Sequence, residues 1–571
     1  MLFSLEGSVL FHEKLYSKEK LRSMEAWVNK KIGDISKDKP VALAMQRTPL
    51  LMVTLFALLK RGITFLPVDP SFPTERLQYM LKKAEIDTIL SDCERNICEY
   101  KTLFLENEDT AYEAFDGLQL SCGQENEVNN DVAYILFTSG TTGNPKAVEV
   151  FRSGLSNFIE GIMEAVTFEQ ETRIICITNA TFDIFFLESI LALKMGMMVV
   201  LADEEERKNP RLVKRLIENN DVNTIQCTPS TIRMLAMVDS EYSFLKGVKT
   251  LMIGGEPFPP TLLQTLQKVM RGRIYNMYGP TETTIWSTVG NLTTAASVNI
   301  GKPIKATEVF IVDANLNRLE TGEEGEILIA GKGLAKGYLK DEERTTESFV
   351  TIQGETELIR AYRTGDYGYL DRDGNFVCTG RRDSQVKILG HRIELGDVEY
   401  NISRINRVEN NVVVVDPDTG NRLICFFIGS VKIDEKKLRY ETLKFLPEYM
   451  VPSVWICVDE LIYTASGKID RKAMWLHYSE KVKEEQDGLA SIISEGHDDI
   501  VAKILECFSI AEGVLNEDTE LKSLGLDSIE YVSCLIDIEE VFDIEFMDEM
   551  LSADYFGTIK DMANYIQSVV E

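Results

Sequence analysis

Residues 132–148, VAYILFTSGTTGNPKAV, decide how this chain is read. The apolar run 132–137 has the length and β-branched character of a buried strand. It leads into Thr138-Ser139-Gly140-Thr141-Thr142-Gly143 and then Asn144-Pro145-Lys146. Glycines let a backbone approach an anion closely, hydroxyls add donors, and lysine adds positive charge. The same composition also builds an ordinary turn, and no GxxxxGK[ST] phosphate loop occurs in the chain.

Around this stretch, from about residue 40 to 350, short apolar runs alternate with helical periods. Residues 132–137, 174–178, 198–201, 224–227 and 248–253 are expected to be strands, with helices at 211–219 and 261–269 between them. That alternation predicts an α/β architecture with mostly parallel sheets. A shorter, mixed region follows at 384–475, with strands expected at 386–389, 412–415 and 423–428 and a helix at 435–445. Residues 476–497 are polar and aperiodic, as a linker would be. The remainder reads as small helices at 500–507, 528–541 and 559–569. At 571 residues the chain exceeds one hydrophobic core.

The loop resembles the phosphate-loop signature of the adenylate-forming superfamily, which comprises acyl- and aryl-CoA ligases, luciferases and the adenylation domains of nonribosomal peptide synthetases. Ala147 stands where the family usually has Gly. Further signatures follow in the family's order: Leu58 to Gly62 with Phe65 to Asp69, Asn276-Met277-Tyr278-Gly279-Pro280-Thr281-Glu282, Gly325 to Leu339, Tyr362 to Asp366, Gly380-Arg381-Arg382-Asp383 through Glu399, Leu446 to Pro452, and Gly467-Lys468-Ile469-Asp470-Arg471. The resemblance spans about residues 40–475. It implies a large adenylation core over 1–382 and a small, mobile α+β subdomain over 383–475 that turns about Asp383.

Adenylation is attack of a carboxylate on the α-phosphate of ATP, so the site must neutralise charge on phosphorus and on the departing pyrophosphate. By resemblance, Thr138, Ser139, Gly140, Thr141, Thr142, Gly143 and Lys146 hold the β- and γ-phosphates. Thr281 touches the α-phosphate, and Glu282 ligates Mg2+, a cation that favours hard oxygen. Tyr278 stacks on adenine, Asn276 reads its amine, Asp366 accepts the ribose hydroxyls, and Gly255, Glu256, Pro257 and Arg381 complete the nucleotide site. Lys468 carries the chemical step, bridging substrate carboxylate and phosphate. Taken singly, Asp366 is equally a turn residue, Tyr278 a core residue and Lys468 a solvated lysine.

An α-amino acid brings a buried ammonium that a carboxylate must meet. Asp183 falls where amino-acid-activating members place that carboxylate, although on its own it also reads as a helix cap. The other pocket positions carried over are Ile184, Leu187, Gln226, Met252, Gly254, Met277, Ile285 and Trp286, closed by Lys468. The string resembles the pattern for glycine, because large side chains fill the space a substrate side chain would need. Alanine is the near competitor, one methyl away.

Leu524-Gly525-Leu526-Asp527-Ser528-Ile529 opens an amphipathic stretch. From Glu495 onward there are 20 Asp and Glu against three Lys and no Arg, which marks a separate acidic unit. Asp527-Ser528 alone is an N-cap. In this context it resembles an all-α, four-helix carrier domain over 498–571, whose Ser528 bears 4′-phosphopantetheine attached by a phosphopantetheinyl transferase. The Gly-Leu-Asp-Ser form stands nearer to acyl- or D-alanyl-carriers than to peptidyl ones. Glu530, Asp537, Glu539 and Glu540 are docking charges or a solvated face. With no span left for a condensation domain, the loaded group is expected to pass to a condensation, ketosynthase or acyltransferase-type protein. A silent donor scaffold is the alternative that intact Lys468, Asp366 and Glu282 oppose.

The net charge of −30 argues against nucleic acid or anionic membrane as the main partner. Ten cysteines without a CxxC pair, and four histidines, offer no metal cluster by spacing. No leader pattern opens the chain, and the apolar runs 50–59 and 184–202 read as buried elements, so a cytoplasmic setting is expected.

Overall fold

The computed structural model describes the chain apart from residues 1–2, 93–99, 106–130, 141–143, 355–356, 382–384, 389–390, 407, 418–421, 430–434, 463–468, 480–498, 509–515, 525, 527, 543, 545, 552–554 and 571. Three sheets form the large region. The first has nine strands, six of them parallel in the order Arg273–Tyr278, Thr250–Gly254, Thr224–Cys227, Arg173–Cys176, Met198–Leu201, Ser8–Phe11, with antiparallel strands at both edges. The second has seven strands and is parallel until the hairpin of Val132–Thr138 with Lys146–Phe151. The third, around the long strand Leu358–Leu370, is wholly antiparallel. The expectation of mostly parallel sheets therefore holds for the first two only, and the fold is α/β with mixed sheets. Antiparallel neighbours in the third sheet need no crossover helix, although the strand Gly337–Tyr338 of the second sheet and the helix Glu342–Ser348 lie between Gly325–Gly331 and Phe349–Gln353.

Local signals explain the helices. Asn209 accepts from the amides of Arg211 and Leu212 ahead of Pro210, opening the helix Pro210–Asn219. Thr228 does the same before Pro229 for Pro229–Val238. The apolar run at 50–59 lies in the helix Pro49–Arg61, buried from Pro49 to Leu59. The run at 184–202 becomes a π-helical turn, Leu187–Leu191, a short helix and the strand Met198–Leu201.

The small region carries the hairpin of Gln385–Ile388 with His391–Glu394, and a three-stranded sheet of Val408–Val415, Leu423–Gly429 and Val454–Cys457. Its last helix continues to residue 479, inside the segment expected as linker, because Tyr478 and Met474 pack into the core behind that sheet. Residues 498–571 were expected to be four helices. The described residues form three α-helices, Asp499–Cys507, Ser528–Phe542 and Ile559–Val570, and two 3₁₀ turns, Leu521–Leu524 and Asp548–Leu551. They close around a core of their own. This unit rests on the large region: Arg211 donates to Glu539 and to the Phe546 carbonyl, and Val238 packs against the core.

Among the described residues no helix is long and apolar enough to cross a membrane. The absence of a metal cluster from spacing alone needs one correction. His12, Asp203 and Glu206 converge, brought together because the strand Ser8–Phe11 pairs with Met198–Leu201. Asp203 and Glu206 hold each other's backbone amides, and His12 pairs with Asp203. Those bonds account for the cluster as a turn.

Candidate active site

Pocket residues Gln226, Met252, Gly254 and Met277 lie on three adjacent parallel strands, with Gln226 opposite Met252 and Gly254 opposite Met277. The cavity opens beside the carboxyl ends of these strands, the usual ligand position in such sheets. It is lined by Thr138, Ser139, Asp183, Ile184, Gly255, Tyr278, Thr281, Trp286, Asp366 and Arg381, all expected, and by Gln385, Lys387, Arg392 and Tyr449 from the small region.

The apolar wall is tightly built. Leu187, Met252, Met277, Ile285 and Trp286 are buried in one cluster with Ile184 against it. A Cβ at Gly254 would lie 2.7 Å from Cη2 of Trp286, so only glycine lets the indole lie against that strand. Asp183 is buried beside this wall, and its Oδ2 has no hydrogen-bond partner among the described residues. Burial raises its carboxyl to about 6 against the lowering pull of Thr281. Thr138 Oγ1 is likewise buried and unpartnered among the described residues.

The opposite wall is rich in cations. Glu282, fully buried, lies 2.8 Å from Arg392 and 3.4 Å from Lys146, and Tyr338 donates to it at 2.8 Å. Burial alone would raise its carboxyl, but Arg392, Lys146 and Tyr338 outweigh that and hold it well below the usual carboxylate range. The arrangement is lopsided: Glu282 has two cations, whereas Lys146 shares its anion with Arg392. Burial and that neighbour bring Lys146 down to about 8. A buried carboxylate beside Thr281 is a fitting hard-oxygen ligand for Mg2+, and in this arrangement Arg392 already neutralises it.

Several expected contacts are arranged differently. Tyr278 donates its hydroxyl to Asp366 at 2.6 Å, and Arg381 donates to the other Asp366 oxygen at 3.2 Å, so both oxygens already accept a bond from protein. Asn276 donates to the Asn299 carbonyl and is not on the cavity wall. Glu256 accepts from the Ser230 amide and hydroxyl, holding a helix start, and neither it nor Pro257 lines the cavity. Gly140 turns the chain so tightly that a Cβ would meet the Asn144 carbonyl at 2.2 Å. Thr141, Thr142, Gly143, Asp383 and Lys468 lie outside the described residues. The helix Ser528–Phe542 begins at Ser528.

The hairpin from the small region is what residue-by-residue reading missed. Ser139 donates to the Arg392 carbonyl at 2.8 Å and accepts from the Glu394 amide at 3.1 Å, which seats the hairpin at the end of the strand Val132–Thr138. His391 stacks on Tyr449 at 3.7 Å and meets the edge of Phe182. Its burial lowers the imidazole to about 3, so it packs as a neutral ring. The signal was available in the basic run Arg381, Arg382, Lys387, Arg392, dense for so acidic a chain.

Comparison with known proteins agrees with this geometry. Residues 31–339 match the AMP-binding enzyme family, and residues 498–566 match the phosphopantetheine attachment site. A dimodular nonribosomal peptide synthase of Bacillus subtilis (strain 168) is 38% identical over 458 residues, 77% of this chain and 19% of that protein. The chain thus spans about a fifth of that relative's length. Zwittermicin A synthase ZmaJ of Bacillus cereus is 33% identical over 465 residues, 79% of this chain and 87% of that protein. The fold matches a solved nonribosomal peptide synthetase protein containing adenylation and PCP domains bound to a vinylsulfonamide inhibitor. That match has a TM-score of 0.78 at 23% identity and covers 99% of this chain and 94% of the other. The chain belongs to the AMP-binding enzyme family, using ATP and Mg2+, and carries behind its adenylation region a carrier unit for 4′-phosphopantetheine.

Proposed function

We propose that the chain activates a small α-amino acid, glycine before others, as its adenylate and transfers it to a phosphopantetheine arm on Ser528. The observation that carries the reading is the buried Asp183 Oδ2, unpartnered among the described residues, beside an apolar wall closed by Trp286. An ammonium fits that oxygen, and the wall leaves the Cα little to carry. ATP would lie along the Ser139 and Lys146 side, with Thr281 at the α-phosphate, Glu282 holding Mg2+, and Asp366 and Arg381 at the ribose. Magnesium supplies charge neutralisation on the phosphates when bound.

The division of labour we propose uses two seatings of the small region, 383–475, against the core, 1–382. One brings Lys468 to the carboxylate for adenylation. The other brings the hairpin bearing Arg392, and the arrangement described above supports that seating for thioester formation. The carrier, 498–571, would be primed by a phosphopantetheinyl transferase and emptied by a condensation-type partner.

Pyrophosphate exchange over a panel of amino acids, then intact mass of the primed full chain, tests the reading. Glycine is expected to give the fastest exchange, with a glycyl mass gain that Ser528→Ala abolishes. Exchange with no amino acid, or a mass gain that survives Ser528→Ala, refutes it.

A further inference from the structure

Glu188 belongs to none of the expected substrate or nucleotide positions, yet it is fully buried directly behind the apolar wall. It stands on the π-helical turn Leu187–Leu191, next to the wall residue Leu187. One oxygen, Oε2, accepts from the amides of Ile177 at 2.9 Å and Thr178 at 3.0 Å. The other, Oε1, accepts from the Thr178 hydroxyl and, at 2.8 Å, from Gln226 Nε2. Gln226 Nε2 also donates to the Ile184 carbonyl at 2.8 Å. A carbonyl only accepts, and so does this carboxylate, so the Gln226 nitrogen must face them and its oxygen must face the other way. On that side Trp286 Nε1, which can only donate, reaches Gln226 Oε1 at 2.9 Å.

We infer that Glu188 is a positioning residue for substrate selection, fixing the indole of Trp286 through the amide of Gln226. The relay has one allowed polarity, from Glu188 as acceptor to Trp286 as donor. It turns a large side chain, which could otherwise swing, into a wall of fixed depth. The Gly254 backbone prevents retreat on one face, at the 2.7 Å approach already described. The inference rests on the reading of the pocket as one for the smallest amino acid.

Glu188→Gln tests it with little change of shape. The Ile177 and Thr178 amides are donors, so the new carboxamide must give them its oxygen. Its NH2 then faces Gln226 Nε2, donor against donor, as long as that nitrogen stays on the Ile184 carbonyl. Reversing the Gln226 amide relieves this clash but sets its oxygen against the Ile184 carbonyl and leaves Trp286 facing an NH2 group. Either way a member of the relay loses its partner. In pyrophosphate exchange on the full chain, kcat/KM for alanine relative to glycine is expected to rise about tenfold, the effect of one lost buried hydrogen bond. Trp286→Phe, which keeps a ring and removes the N–H, is expected to raise the same ratio, and adding Glu188→Gln to it should change the ratio no further. A uniform loss for both amino acids, or an undiminished shift in the Trp286→Phe background, overturns the relay. Should Glu188→Gln fail to fold, Gln226→Leu breaks the same chain and carries the same expectation, and an unchanged ratio there is equally decisive. A wild-type panel in which glycine is not preferred defeats the pocket reading. A glycine-preferring wild type whose ratio resists these variants defeats the relay alone.

Discussion

On the apolar wall Trp286, Gln226 and Glu188 hold one another within the first sheet and its helices, whereas on the opposite wall Glu282 and Lys146 share charge with Arg392, which arrives on a hairpin of the small region. The first wall satisfies its own polar groups and has no reason to rearrange. The second is completed by a cation from a separately folded element, so its charge balance changes whenever that element leaves. On the function proposed above, selection of the substrate would belong to a fixed surface, and handling of the phosphates to an exchangeable one.

The largest expected effect separates the two walls. Lys468→Ala should lower adenylate formation by at least about hundredfold, the usual cost of removing a charge-stabilising donor. Thioester formation from supplied aminoacyl adenylate should largely survive. Equal loss in both half-reactions would dissolve the idea of an exchangeable wall. Trp286→Ser probes the fixed one, and bulkier amino acids should gain about 10–200-fold in kcat/KM relative to glycine, the range for freed apolar space. A mutant that still exchanges with glycine alone would show that the wall lies elsewhere.

Two effects near tenfold follow. Arg392→Met removes a buried charge-assisted bond to Glu282 and should slow transfer to the carrier about tenfold, changing pyrophosphate exchange less. The reverse pattern would place Arg392 in adenylation. Asp183 must be ionised to meet an ammonium, and burial places its carboxyl at about 6. Glycine kcat/KM should therefore fall about tenfold for each pH unit below that value. The free protein responds oppositely, because a raised carboxyl stabilises the fold in its protonated form. That contribution is complete below the ordinary aspartate value of 3.8 and is lost as pH climbs through about 6. A glycine profile flat from pH 7 to 5 would remove Asp183 from ammonium binding.

The contrast between the walls also explains what could be read beforehand. Gln226, Met252, Gly254 and Met277 of the fixed wall sit on strands whose apolar runs mark them, and the expected strand 224–227 matches the observed bounds. Trp286, by contrast, lies in the turn before the strand Thr288–Asn291 and reaches Gln226 by a hydrogen bond. Asn276 and Glu256 belong to legible motifs, yet their side chains answer local carbonyls and amides, which no motif reveals. Glu188 is one charge inside the apolar run 184–202 and belongs to no motif, since its partners Thr178 and Gln226 are ten and 38 residues away. Arg392 lies 110 residues from Glu282, on an element whose placement depends on how two regions pack. Contacts within a strand–helix repeat leave a periodic trace, and contacts between regions leave none.

The smallest effect concerns the acidic tail, where Glu539 stood as either a docking charge or a solvated one. It ion-pairs with Arg211 of the large region, both side chains mostly buried, while its other oxygen accepts the Phe546 amide at 2.7 Å. Arg211 also donates to the Phe546 carbonyl at 3.0 Å, so one guanidinium grips both the helix Ser528–Phe542 and the segment after it. The carrier core does not need this contact, because its own apolar cluster closes without Arg211. Arg211→Glu should accordingly leave pyrophosphate exchange and carrier folding intact and slow self-loading of Ser528 about threefold to fivefold, the scale of a partly buried ion pair. Adding Glu539→Arg should restore part of the rate if the charges act on each other. Rising salt should narrow the gap between Arg211→Glu and the wild type. Unchanged loading in Arg211→Glu would mean that the carrier reaches the site from a different seat, and that the fixed and exchangeable walls are served without this contact.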